Sequence, residues 1–329
     1  MNRLARQIAV LLLFAFCVAG ALQAQPADDR NTLHAEIRQD DDERLAVHAE
    51  MDGQSKTFVL PAQVIEDLNQ LYEDLEARRG RDFASVGKRL GDLILAPLGP
   101  MLKRAKAVRF TIDEDLIGLP LDLLSFEGEP LFVQKPVTFE LPSTRRSAAK
   151  ATFSAKWSGL MMRDRTADPD NGVSFLATVL PNSSRVSTLR QLRHADPVDV
   201  LLISGHGSVG EDSEPDSVSV GDDEIVARDL AHLTPRLVYL DSCQLGISLD
   251  FLHALRRAGT NYYLAPILSN EAGNSSTRTI RLFFKNLAET GSPSEALYLA
   301  RRQLYQEFKK DPPATRLWRA YPFRLYRLS

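Results

Sequence analysis

Two stretches decide how this chain folds: Val198-Asp199-Val200-Leu201-Leu202-Ile203-Ser204-Gly205-His206-Gly207, and Arg236-Leu237-Val238-Tyr239-Leu240-Asp241-Ser242-Cys243-Gln244-Leu245-Gly246. Each is a short, mostly apolar run that stops at small and polar residues. Runs without the polar alternation of a half-exposed strand predict strands buried on both faces. A third such run spans 261–266, with Tyr262, Tyr263 and Leu264 at its centre. Helical patterns over 249–258, 275–289 and 293–310 fall between and after these runs. Strands alternating with helices predict a parallel α/β sheet with right-handed crossovers. In such sheets ligands sit beyond the carboxyl ends of the strands.

Two of those ends carry unusual chemistry. If the two strands are adjacent and parallel, His206 and Cys243 emerge side by side. A thiol is mostly protonated at neutral pH, so a neighbouring imidazole is the minimum requirement for thiolate nucleophilic catalysis. The glycines beside both residues allow close backbone approach. They also point to the backbone N–H groups of Gly207 and Cys243 as donors to an oxyanion.

The chain has 329 residues, 44% of them apolar and 25% charged, with 40 Lys+Arg against 43 Asp+Glu. This is ordinary globular usage and excludes a collagen, a coiled-coil rod or a largely disordered chain. A formal charge of −3 gives no reason to expect nucleic acid, which needs a basic surface. At the amino end, Arg3 and Arg6 precede an apolar run from Ile8 to Leu22, and Ala21-Leu22-Gln23-Ala24 is a small-residue cleavage pattern. These are the parts of a secretory signal peptide over 1–24, and the run is too short to span a bilayer. Export to the periplasm or outside the cell is expected, with no stable membrane span after cleavage. Losing Arg3 and Arg6 lowers the charge by two, from −3 to −5, and removes Cys17, so Cys243 is the sole thiol of the mature chain. No internal disulfide can form, and no cysteine-rich zinc site is available. An unpaired thiol in an oxidising compartment is a reactive group or an inert buried one.

Residues 25–80 read as an N-terminal extension of short strands and a helix. Asp40-Asp41-Asp42 and Asp52-Gly53 make turns, and Val64, Leu68, Leu71 and Leu75 form a helical stripe. Residues 81–329 read as the main domain. Within it, Val108–Ile112 is a strand, and Leu116-Ile117-Gly118-Leu119-Pro120 with Leu131-Phe132-Val133 to Thr138-Phe139-Glu140-Leu141 suggest a hairpin-like excursion. The polar stretch 143–197, with its turn Asp168-Pro169-Asp170-Asn171-Gly172, reads as a linker or exposed segment. Residues 211–224 hold seven acids and no Lys or Arg. That run reads as a solvated loop or, placed after His206, as a negative rim for basic substrates or a calcium ion. No metal ligand set and no cofactor is otherwise expected. The remaining histidines, His34, His48, His194, His232 and His253, read as surface or packing residues.

Ser204-Gly205-His206-Gly207 and Asp241-Ser242-Cys243 resemble the His and Cys motifs of caspase-like cysteine peptidases, with wording nearest to metacaspases. The text from about residue 85 onward resembles the CHAT family, through Leu119-Pro120, Leu141-Pro142-Ser143, Gly291-Ser292-Pro293-Ser294-Glu295-Ala296-Leu297 and Trp318. The resemblance implies a caspase-like, mostly parallel sheet flanked by helices, with the small N-terminal β/α extension in front. It implies an endopeptidase in which Cys243 attacks the peptide carbonyl and His206 is general base and acid. It also places Asp241, with Ser204 beside it, at the floor of a pocket for a basic side chain. Its partners would be a protein or peptide substrate and a regulatory protein. The chain departs from the family pattern at Leu245 and at Ala265-Pro266-Ile267-Leu268, which keeps open a second reading: a catalytically silent interaction module on the same fold.

Overall fold

The computed structural model describes residues 31–78, 83–142, 152–210 and 214–329. The leader read at 1–24 lies outside them, as do Glu211 and Asp212 of the acidic run. Strands β1 (Thr32–Gln39), β2 (Leu45–Met51) and β3 (Gln54–Leu60) form an antiparallel meander. Every second residue of β2 is buried, namely Leu45, Val47, Ala49 and Met51, which is the period of a strand with one covered face. Asp52 and Gly53, at φ 52° and 75°, make the tight turn into β3. Helix α1 (Gln63–Glu76) buries Val64, Leu68, Leu71 and Leu75, the stripe the spacing predicts. Helices α2 (Phe83–Ile94) and α3 (Gly99–Arg104) lead to β4 (Ala107–Ile112), which pairs parallel with β1. The N-terminal meander is therefore one end of the main sheet.

The excursion over 116–141 does hold a hairpin, but the two apolar runs are not its arms. Glu127 and Gly128, at φ 52° and 91°, place the tight turn between β5 (Ser125–Phe126) and β6 (Glu129–Pro130). Residues Leu131–Gln134 form a helical turn, α4, and β7 (Val137–Glu140) pairs parallel with β4. The other neighbour of β7 is the C-terminal strand of the chain, and Val137 and Phe139 are buried between the layers.

Of the stretch 143–197, read as a linker or exposed segment, residues 143–151 lie outside the described ones, and the remainder is not a linker. That stretch holds β8 (Gly159–Arg163), α5 (Leu176–Val179), β9 (Ser183–Arg185) and α6 (Leu189–Arg193). β8 lies in the sheet interior, parallel to β10 (Val200–Ser204). Its apolar run is only Leu160-Met161-Met162 beside a glycine, too short to stand out from polar flanks. The acidic run is a loop only in part of its described residues, 214–224. After β11 (His206–Ser208), the chain makes β12 (Ser217–Val220) and β13 (Asp223–Val226), which close a small antiparallel sheet with β11.

The rest of the chain runs β14 (Leu237–Asp241), α7 (Leu249–Arg257), β15 (Tyr262–Pro266), α8 (Asn274–Thr290), α9 (Pro293–Glu307), α10 (Pro313–Ala320) and β16 (Phe323–Arg327). The main sheet has 11 strands in the order β3-β2-β1-β4-β7-β16-β15-β14-β10-β8-β9. It is mostly parallel and flanked by helices. Its exceptions are the meander and the antiparallel pair β15–β16 at its centre, where two parallel halves of opposite direction meet. Side chains of β10 and β14 alternate between two cores. Leu201, Ile203, Val238 and Leu240 enter one, and Val200, Leu202, Leu237 and Tyr239 the other. Both faces are apolar, so no helix or strand period shows in the sequence of these strands.

The halves are tied by a buried ionic cluster. Asp122 accepts hydrogen bonds from Arg301 Nη2 (2.9 Å) and the Tyr321 hydroxyl (2.8 Å). Arg324, also fully buried, donates to the carbonyls of Ile117 and Leu119 and lies over the Phe139 ring. Removing the one carboxylate strands two buried cations, so Asp122→Ala is expected to cost about 3–5 kcal/mol in urea unfolding. Asp67→Ala, which breaks a solvent-facing pair with Arg89, is expected to cost less than about 1 kcal/mol.

Candidate active site

Four neighbouring parallel strands, β15, β14, β10 and β8, end at one level. Ser204 pairs with Asp241 on one side and with Arg163 on the other. The ladder continues one step past the ends, with Asp164 N–H donating to the Ser204 carbonyl and Gly205 N–H to the Asp241 carbonyl. The segments leaving this edge carry, in sheet order, Asn270, Cys243, His206 and Asp164.

Backbones meet where the glycines stand. A Cβ on Gly207 would lie 2.2 Å from the Cys243 carbonyl oxygen and 2.9 Å from its nitrogen. One on Gly205 would lie 2.5 Å from the Ser219 carbonyl oxygen. Only glycine lets β11 pass between the Cys243 loop and β12. His206 and Cys243 are thus brought onto touching backbone segments, and so are the two amides named from sequence as oxyanion donors. Their side chains each have a further partner.

The His206 ring is more than half exposed, and its Nε2 lies 2.7 Å from Thr166 Oγ1 and 3.8 Å from Asp164 Oδ1. The Thr166 hydroxyl donates its one hydrogen to Asp164. Oγ1 can then only accept from the ring, which assigns the hydrogen of neutral His206 to Nε2 and leaves Nδ1 as the base. Burial works against the charge on Asp164, but the Thr166 hydroxyl and the backbone N–H groups of Gly221, Thr166 and Ala167 outweigh it. They hold this carboxyl well below the usual carboxylate range.

The sulfur side is drier. Cys243 Sγ donates to Asn270 Oδ1 at 3.3 Å, and Asn270 Nδ2 donates to Asp241 Oδ1 at 2.7 Å. Asp241 also accepts from the hydroxyls of Ser204 (2.7 Å) and Ser276 (2.5 Å). Asp241 is 2% and Ser204 0% exposed, so the two residues read as substrate contacts lie beneath the surface. Burial pushes the Asp241 carboxyl up to about 6, with the Ser276, Ser204 and Asn270 donors pulling back and the charge of Asp168 adding. Burial, and then the carboxylates of Asp241 and Glu76, push the Cys243 thiol above its ordinary range, against the Asn270 backbone contact. Gln244, directly after the cysteine, is held at φ 59°, a left-handed conformation that costs a side-chain-bearing residue about 1 kcal/mol or more.

Of the acidic run, Asp216 is turned inward to the Ser248 hydroxyl and Gly210 N–H, Asp223 accepts from Leu189 N–H, and Glu224 accepts from Ser217. These acids serve the β12–β13 hairpin and its surroundings. Among the described residues no three His, Cys, Asp or Glu side chains are gathered to hold a metal ion. No described helix is long and apolar enough to cross a membrane.

Sequence reading passed over Asp164, Thr166, Asn270, Ser276 and Glu76. The first two follow β8, the strand that went unrecognised. Asn270 follows β15, and the carboxyl-end rule applied to that strand would have found it.

Residues 84–325 match the family described as the CHAT domain. No curated protein matches the chain.

The buried Asp241 gives the native state a pH signature. Its folded value of about 6 exceeds the unfolded value of about 3.9, so the native protein binds the extra proton between them. Its contribution to stability is complete below about pH 4 and is lost as pH rises through about 6. Urea titrations at steps across that window are expected to show this fall in wild type and not in Asp241→Asn.

Proposed function

The chain belongs to the CHAT domain family, and from that premise we propose that it is a cysteine endopeptidase working through Cys243 and His206. One observation supports the reading: Gly207 packs its backbone on that of Cys243, so His206 and the thiol come from touching segments, and Nδ1 is the ring nitrogen left to act as the base. In the proposed reaction Nδ1 takes the thiol proton and Sγ attacks the peptide carbonyl carbon. The carbonyl π electrons move to oxygen, which the Gly207 and Cys243 backbone N–H groups stabilise. The tetrahedral adduct collapses, the C–N bond breaks, and the leaving amine takes the proton from His206. Water then adds to the thioester with His206 as base, and Cys243 leaves as the thiol. Because burial keeps the resting thiol protonated, the proton transfer belongs to the substrate-bound state and not to a pre-formed ion pair.

We place a Lys or Arg side chain of the substrate on Asp241, which is ionised above about pH 6. To reach Oδ1 it must take the place of Asn270 Nδ2, and that exchange also releases Sγ from Asn270 Oδ1. Specific substrate binding and uncovering of the nucleophile are then one event. The same proposal takes the substrate to be a protein or peptide outside the cytoplasm and leaves room for a regulatory protein partner.

The second reading, a silent interaction module, has its own observation: the sulfur is hydrogen-bonded away from the ring, to Asn270. A peptide library incubated with the mature chain separates the two. Cys243→Ala and His206→Ala are expected to lose at least about 1,000-fold in turnover. Thr166→Val, which removes the acceptor for Nε2–H, is expected to lose about 10- to 100-fold. Cleavage after Lys or Arg is expected to decline as pH falls through about 6, where Asp241 takes up its proton. Equal background turnover in wild type and the two dyad variants would decide for the silent module.

A further inference from the structure

Helix α1 precedes the matched segment 84–325, yet its last turn reaches the nucleophile loop. Glu76, its final residue, accepts hydrogen bonds from Ser269 N–H (2.8 Å), from the Ser269 hydroxyl and from Gln244 Nε2 (3.4 Å). One turn earlier, the Tyr72 hydroxyl donates to the Ile267 carbonyl at 2.8 Å. Ser269 is the residue before Asn270, and Gln244 is the residue after Cys243. One carboxylate therefore holds an outer flank of each member of the Cys243–Asn270 pair.

A carboxylate is poorly placed at the end of α1. The carboxyl end of a helix carries partial negative charge and favours cations, and the last turn of α1 has no basic residue. A neighbouring negative charge also opposes formation of the Cys243 thiolate. Helix stability and thiol acidity both argue against Glu76 here, so its placement follows from what it holds. What it holds includes Gln244, the residue directly after Cys243, which keeps a strained left-handed backbone.

We infer that Glu76 is a positioning residue for the Cys243 nucleophile, acting through Ser269 and Gln244, an inference that rests on reading Cys243 as the nucleophile. The N-terminal meander and α1 are then part of the active-site scaffold: their contact with the catalytic edge fixes the angle and depth of the sulfur. The charged groups that act on that thiol are Asp241 and Glu76, and His206 stands on the segment whose Gly207 packs on the Cys243 backbone. Glu76 is the one among them that comes from the N-terminal region.

The full chain tests this as wild type, Glu76→Gln and Glu76→Ala, each checked for native circular dichroism. The rate of Cys243 alkylation by iodoacetamide is followed from pH 6 to pH 10, beside kcat and KM for a cleaved peptide. Glu76→Gln removes the charge and keeps one acceptor, so its alkylation profile is expected to move to lower pH, with a rate about threefold above wild type near neutrality. Glu76→Ala removes the brace, so kcat is expected to fall about 10- to 100-fold with KM within about twofold, and Glu76→Gln to recover part of the loss. Alkylation profiles that superimpose on wild type in both variants would overturn the inference, as would a rise in kcat for Glu76→Ala. If wild type cleaves no peptide while the alkylation profile still shifts, the positioning of the thiol stands and the peptidase reading fails.

Discussion

Everything at the candidate site depends on the common level at which β15, β14, β10 and β8 end. Parallel strands covered on both faces have their register fixed, because a slip of one residue would exchange the side chains of the two cores. Val200 and Leu202 cannot trade places with Leu201 and Ile203 without inverting both packing layers. That constraint brings Ser204 level with Asp241, and the residues just beyond them inherit the alignment. Asp241 then locks the edge from below, joining β10 through Ser204, the loop after β15 through Asn270, and α8 through Ser276.

The edge is electrically divided. Around His206 the surroundings are polar and open, and Asp164 stays charged because four donors surround it. Around Cys243 they are dry, and both the thiol and Asp241 are shifted toward their neutral forms. On the proposed reading, a nucleophile kept protonated until substrate arrives would suit an exported protein, where a standing thiolate would be oxidised. Asn270 spans the gap between sulfur and Asp241, on the path of the substrate side chain in the proposed reaction.

Much of this was legible in sequence, for identifiable reasons. Val198–Ile203 and Arg236–Leu240 announce themselves because strands buried on both faces need unbroken apolar runs. The glycines of the His motif are demanded by backbone contact, so they too are visible as text. β8 was hidden because Leu160-Met161-Met162 is a short run beside a glycine, and its partners on the sheet, not its own pattern, make it a strand. Asp164 and Thr166 disappeared with it. β16 was hidden by Arg324 and Arg327 within it, since the buried Arg324 is received by the Ile117 and Leu119 carbonyls and by Asp122, all about two hundred residues earlier. The Glu76 contact joins residues 168 and 193 positions apart and leaves no local trace.

The central claim is that one sulfur and one imidazole act together on an amide carbonyl. Its most direct test is the intact mass of the protein quenched in acid seconds after mixing with a cleaved peptide or its ester. The account predicts an adduct of the acyl portion's mass, mapped to Cys243, that forms in wild type and is missing in His206→Ala. Product release with no acyl adduct on Cys243, or an adduct that forms equally fast without His206, would contradict it.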